Sequence, residues 1–158
     1  MSRRLLVAAG AGGCLLALSA CGSGAVDVEP PAPDDQAASA CNGLMASLPD
    51  TVQGAERRET SPEANVTAAW GDPAVILRCG VSSPAAYAPT AELVEVNGVE
   101  WFPEELERGY RFTTFGRAAF VEVTVPQNYR PEVNALVDLA DAVEDSVPTA
   151  DVAGSEEW

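Results

Sequence analysis

The ten residues Leu93 to Phe102, LVEVNGVEWF, decide how this chain is read. Two short runs of β-branched and aromatic residues flank Asn97-Gly98. Asn-Gly is a strong two-residue hairpin signal, because both residues tolerate the positive φ that the tight turn requires. Strands are therefore expected over Leu93–Val96 and Val99–Phe102. Working outward, Val75–Cys79, Tyr110–Thr114 and Ala118–Val125 have the same β-rich character. Phe115-Gly116-Arg117 supplies a second tight turn. Consecutive strands this close must pair antiparallel, which predicts a meander of about five strands. Further out the period changes. Cys41, Leu44, Met45 and Leu48 recur at helical spacing, with Asp34 or Asp35 available as a cap and Pro49 as a stop. Beyond the strands, Pro131 suits a first helical position, and Val133, Leu136, Val137, Ala140, Val143 and Val147 repeat as one stripe. Two helices can cover only one face of a sheet, so the expected fold is an α+β two-layer sandwich without internal repeats.

The amino terminus carries a different message. Arg3 and Arg4 precede an apolar stretch from Leu5 to Leu18, and small residues Ser19-Ala20 lead into Cys21. This is the layout of a secretory signal over residues 1–20. The stretch is shorter than the roughly 20 apolar residues of a membrane span and contains Gly10, Gly12 and Gly13. Leu18-Ser19-Ala20-Cys21 resembles the lipobox of bacterial lipoproteins. That resemblance implies cleavage before Cys21 and acylation of its thiol, with palmitate-type chains seated in the bilayer. Cys14 also follows small residues, but apolar sequence continues past it. Residues 21–36 are rich in Gly, Pro and acid and read as a disordered tether. At about 3.1 Å per residue its fifteen residues after the cysteine could hold a domain roughly 45 Å off the bilayer. Residues 37–147 form one domain, and 148–158 an acidic tail.

Composition narrows the chemistry. The 158 residues contain no His and no Lys, and 24 acids against 9 basic residues. Losing Arg3 and Arg4 with the signal would leave seven basic residues and a net charge of −17. Such a charge disfavours a nucleic-acid partner, which needs clustered cations, and repels an anionic membrane surface, so lipid must do the anchoring. Without His or Lys there is no His-containing triad and no Schiff base. After acylation of Cys21 the even pair Cys41 and Cys79 remains, and in an oxidising compartment a disulfide is the expected state. No cofactor and no metal site are expected.

Several blocks are familiar together. Trp70-Gly71-Asp72-Pro73-Ala74-Val75-Ile76-Leu77-Arg78-Cys79-Gly80 is followed by Val96-Asn97-Gly98-Val99-Glu100-Trp101 and by Ala119-Phe120-Val121-Glu122-Val123-Thr124-Val125-Pro126. From Cys41 to Val147 the chain resembles the actinobacterial lipoprotein family catalogued as domain of unknown function 3515. The resemblance implies an envelope protein with the Cys41 and Cys79 pair. It supplies no activity.

Candidate sites are few. Trp70-Gly71-Asp72-Pro73 is either a binding loop, with an indole beside a carboxylate, or a turn whose Trp belongs to the core. Trp101 has the same two readings. Glu104, Glu105 and Glu107 cluster in an expected loop but lack the Asp/Asn and Gly spacing of a calcium loop. If Val75, Leu77 and Cys79 face the helices, then Ile76 and Arg78 face away. Glu95, Arg111, Thr113, Glu122 and Thr124 join them by alternation. This outer face, centred on Arg78, Arg111 and Glu122, is either a recognition surface or a solvated set of cross-strand ion pairs.

The reading that results is a lipid-anchored envelope protein on the extracytoplasmic face of the cell membrane. It is a non-enzymatic accessory or binding module for an unknown envelope protein or anionic ligand. A His-free carboxylate-dependent hydrolase and a structural partner of a membrane complex are the alternatives.

Overall fold

The computed structural model of the chain describes residues 24–150. The signal segment, the lipidation expected at Cys21 and the tail beyond Ala150 lie outside the described residues. In chain order the elements are β1 (Val26–Asp27), α1 (Asp35–Ser47), β2 (Thr51–Val52), β3 (Ala55–Arg58), β4 (Thr60–Ser61) and β5 (Thr67–Trp70). They continue with β6 (Val75–Val81), β7 (Val94–Val96), β8 (Val99–Leu106), β9 (Gly109–Thr114), β10 (Phe120–Pro126) and α2 (Asn134–Ser146). The architecture is α+β: eight strands form one antiparallel sheet in the order β2-β3-β5-β6-β10-β9-β8-β7, and both helices lie on one face.

The five strands expected from the sequence are β6 to β10. Asn97 and Gly98 both take positive φ, 48° and 81°, and close the β7–β8 hairpin as expected. The sheet is wider than the expected five strands because β2, β3 and β5 extend it beyond β6. Their sequences hide them. Ala55–Arg58 reads AERR, Thr67–Trp70 reads TAAW, and the turn between β2 and β3 uses Gln53 at φ 51°. A Gln rarely takes that conformation, so no hairpin signal was present.

The connection from β6 to β7, residues 82–93, carries the chain to the far edge of the sheet, from which β7-β8-β9-β10 meanders back to β6. The connection lies over the face opposite the helices. Tyr87 meets Phe102 edge-on at 5.6 Å and stacks on Phe115 at 4.7 Å. The tight turn expected at Phe115-Gly116-Arg117 is a longer excursion, with β9 ending at Thr114 and β10 starting at Phe120.

The core lies between sheet and helices. Leu44 of α1, Leu136 and Leu139 of α2, and Trp70, Leu77, Trp101, Val121 and Val123 of the sheet are fully buried. Each such side chain contributes about 1.5–3 kcal/mol through removal from water. Asp34 caps α1, accepting from the Ala37 N–H at 2.8 Å. The second helix starts at Asn134 rather than Pro131, since Pro131 to Val133 form a preceding turn. Of its expected stripe, Val137 is 49% exposed and does not join the core. Cys41 and Cys79 are joined, with Cα atoms 5.6 Å apart, and staple α1 to β6.

Both ends of the domain extend further than the sequence suggested. Residues 24–36, read as part of a free tether, are a strap on the domain from Val26 onward. β1 pairs in parallel with β4, and the Val28 N–H donates to Ser61 O. Val28 is 4% exposed, and the Pro33 ring packs over Gly80. At the other end Pro148 and Ala150 bond to Ala118 and Gly116, so the acidic tail can begin only after them. Among the described residues no helix is long and apolar enough to cross a membrane.

Candidate functional site

The outer sheet face does bring Arg78, Arg111 and Glu122 together. Register puts Arg78 of β6 opposite Glu122 of β10, and Arg111 of β9 opposite Glu104 of β8. The result is a ladder of alternating charge over four adjacent strands. Arg78 Nη1 lies 3.2 Å from Glu122 Oε1 and Arg111 Nε lies 3.5 Å from Glu122 Oε2. The second contact is an ion pair and not a hydrogen bond. Arg111 also approaches Glu104 at 4.0 Å. Glu122, with its side chain 13% exposed, is thus held between two half-exposed cations. Two arginines against two glutamates leave no net positive charge to select an anion.

The same face is covered in part. Arg78 Nε donates to the Glu29 carbonyl at 3.0 Å and so pins the strap. Thr113 and Thr67 are buried, and Tyr87 shields Phe102. The expectation of an open sheet face is therefore corrected: the strap and the 82–93 connection use it. Of the expected outer residues, Glu95 remains exposed on the edge strand.

The two Trp candidates belong to the core. Trp70 is fully buried, donates from Nε1 to Pro49 O at 3.0 Å, and carries Arg57 over its ring at 5.6 Å. Trp101 is equally buried, on the helix-facing side of β8. Asp72 is exposed in the turn between β5 and β6. That turn packs on Tyr129, whose hydroxyl donates to Pro73 O at 3.0 Å. Gly71 takes φ 74°, and a Cβ there would collide with the Tyr129 hydroxyl. Burial raises the Tyr129 phenol above its ordinary pKa, the Asp72 carboxylate raises it further, and Arg58 opposes both. Trp70-Gly71-Asp72-Pro73 is thus a packed turn.

Glu104 and Glu105 occupy successive positions of β8, not a loop, and so point to opposite faces. They do not converge, and no group of three or more potential ligands for a metal occurs among the described residues. A cavity of about 550 Å³ lies between α1 and β3 to β5. Arg57, Arg58, Glu59 and Glu63 line it with balanced charge.

Sequence reading missed Arg117, which is 7% exposed. It donates to Val147 O and Gly98 O, both at 2.9 Å, and pairs with Glu144. One guanidinium thereby joins the end of α2, the β7–β8 turn and the β9–β10 connection. No periodic pattern marks such a residue, because its partners are distant backbone carbonyls.

None of the curated proteins and none of the solved structures matches the chain. One family model does, described as a protein of unknown function (DUF3515), and it matches residues 5–152. That span takes in the whole described domain with its Cys41–Cys79 staple and Asn97-Gly98 hairpin, and the chain belongs to this family of unknown function.

Proposed function

We propose that the chain is an extracytoplasmic lipoprotein, acylated on Cys21, whose domain is a non-enzymatic binding module held close to the outer surface of the cytoplasmic membrane. The observation that carries this reading is Leu18-Ser19-Ala20-Cys21 at the end of a basic and then apolar segment. The Cys41–Cys79 disulfide supports it, since such bonds persist in oxidising compartments.

The strap shortens the expected tether. Only Gly22 to Ala25 separate Cys21 from β1. Five residue steps at about 3.6 Å each place Val26 within roughly 18 Å of the acylated residue. The module therefore works in the layer next to the bilayer, and its partner is a protein that reaches the same layer. With a net charge of −17 after cleavage, the lipid rather than surface charge holds it there.

Labelled palmitate tests the anchor. Wild-type protein and a Cys14→Ala variant take up the label, and Cys21→Ala does not. Label on Cys21→Ala, or none on wild type, contradicts the proposal.

A further inference from the structure

On the helix-facing side of the sheet, just before the start of α2, a cavity of about 380 Å³ is left between the sheet and the turn that leads into the helix. Its floor is Pro103, Tyr110 and Phe112, with the two rings stacked at 5.7 Å. Val94 of the edge strand and Val133 before α2 form its walls. Val137, one turn beyond Val133, is the exposed large hydrophobic of the described residues, so the apolar strip runs out of the cavity along α2.

One wall residue is charged. Glu132 lines this apolar groove with its side chain only 10% exposed. Its partner is Arg130, whose Nε lies 3.2 Å from Oε1 and whose side chain is 70% exposed. A carboxylate accepts several hydrogen bonds. Here Arg130 gives the one it receives among the described residues, which leaves Oε2 for a second donor. The cation of this pair stands in solvent while its anion is enclosed. Glu105, exposed and opposite Tyr110 in register on the same face, adds negative charge at the groove's end.

We propose that this groove receives a Lys or Arg side chain from an extended segment of a partner protein, its aliphatic stem on Tyr110, Phe112 and Val133 and its cationic head on Glu132. Charge complementarity favours a basic occupant, since the chain carries 24 acids against 9 basic residues, and here Glu132 in the lining and Glu105 opposite Tyr110 outnumber Arg130. A polypeptide source is favoured because β7 is the sheet's edge, so a segment laid along it directs alternate side chains over Val94 and into the groove. Arg130 then either shares Glu132 with the incoming cation or swings away. This proposal stands whether or not Cys21 is acylated.

Fluorescence anisotropy of the full-length protein with labelled peptides tests it. The probes are Val-Thr-Val-Lys-Val-Thr-Val, the same peptide with Glu replacing Lys, and n-butylammonium as a competitor. The Lys peptide binds, the Glu peptide binds at least tenfold more weakly, and Glu132→Gln lowers affinity for the Lys peptide at least tenfold. Arg130→Ala, which removes the resident cation from an exposed position, tightens binding. If Glu132→Gln fails to fold, the Arg130→Ala comparison and the peptide pair still decide. No binding of the Lys peptide, equal binding of both peptides, or an affinity indifferent to Glu132→Gln overturns the proposal. Butylammonium competing as well as the peptide overturns the polypeptide source.

Discussion

Arg117 shows how one side chain can join elements that no local pattern connects. Its guanidinium satisfies the Val147 carbonyl at the end of α2 and the Gly98 carbonyl of the hairpin. Arg117→Met keeps the stem and leaves both carbonyls without that donor. A loss of about 2–3 kcal/mol is expected in chemical denaturation. Tyr129 gives a pH signature. Its folded pKa is raised above the ordinary value of 10.0, so the protonated phenol is favoured in the fold. That contribution is present below pH 10 and is lost as pH climbs through the raised pKa. Wild type should therefore lose melting temperature above pH 10 more steeply than Tyr129→Phe. At this scale the sequence was legible where a residue acts on its neighbours. Asp34 is the cap that helix grammar asks for, and Asn97-Gly98 is the turn that φ demands. Trp70 and Trp101 were ambiguous because burial of an indole depends on what packs over it, which lies elsewhere in the chain.

The strap is the element on which the sequence reading changed most. Residues 24–36 carry Gly, Pro and acid without apolar periodicity, and that composition describes a free linker. Yet the pairing of β1 with β4, the buried Val28 and the Arg78 bond to Glu29 hold this segment to the domain. None of those contacts is local, so nothing in the segment announces them. Arg78→Ala removes the pin and one of the two cations at Glu122, and should cost about 1–2 kcal/mol. Hydrogen exchange of residues 26–30 should rise in the same variant while α2 is unaffected. An Arg78→Ala domain as stable as wild type, with strap protection intact, would return these residues to the role of free recognition groups. The disulfide acts at the same scale. Closing a separation of 38 residues is worth about 4 kcal/mol in the chain-entropy model. A Cys41→Ala, Cys79→Ala double variant should lose most of that in urea unfolding.

At the scale of the molecule, fold class was readable from the switch between strand and helix periods, and sheet width was not. The Ala-rich strand β5 is recruited by pairing with β6, and the charged strand β3 by pairing with β5, rather than by their own sequence. The groove proposed as a binding site was less legible still, because it is assembled from β7, β8, β9 and the turn before α2, each unremarked in isolation. In the proposed reading the amino terminus and the strap together set the molecule's place, with four residues between Cys21 and β1. Energy transfer from a dye at Asp27→Cys to a bilayer probe should accordingly report a separation on the order of 20 Å, against about 45 Å for a free tether. The most direct measurement is mass spectrometry of the amino-terminal peptide from protein extracted from membranes. The account predicts a chain that begins at Cys21 with a diacylglyceryl thioether on its sulfur. A chain that begins elsewhere, or an unmodified Cys21, would contradict it.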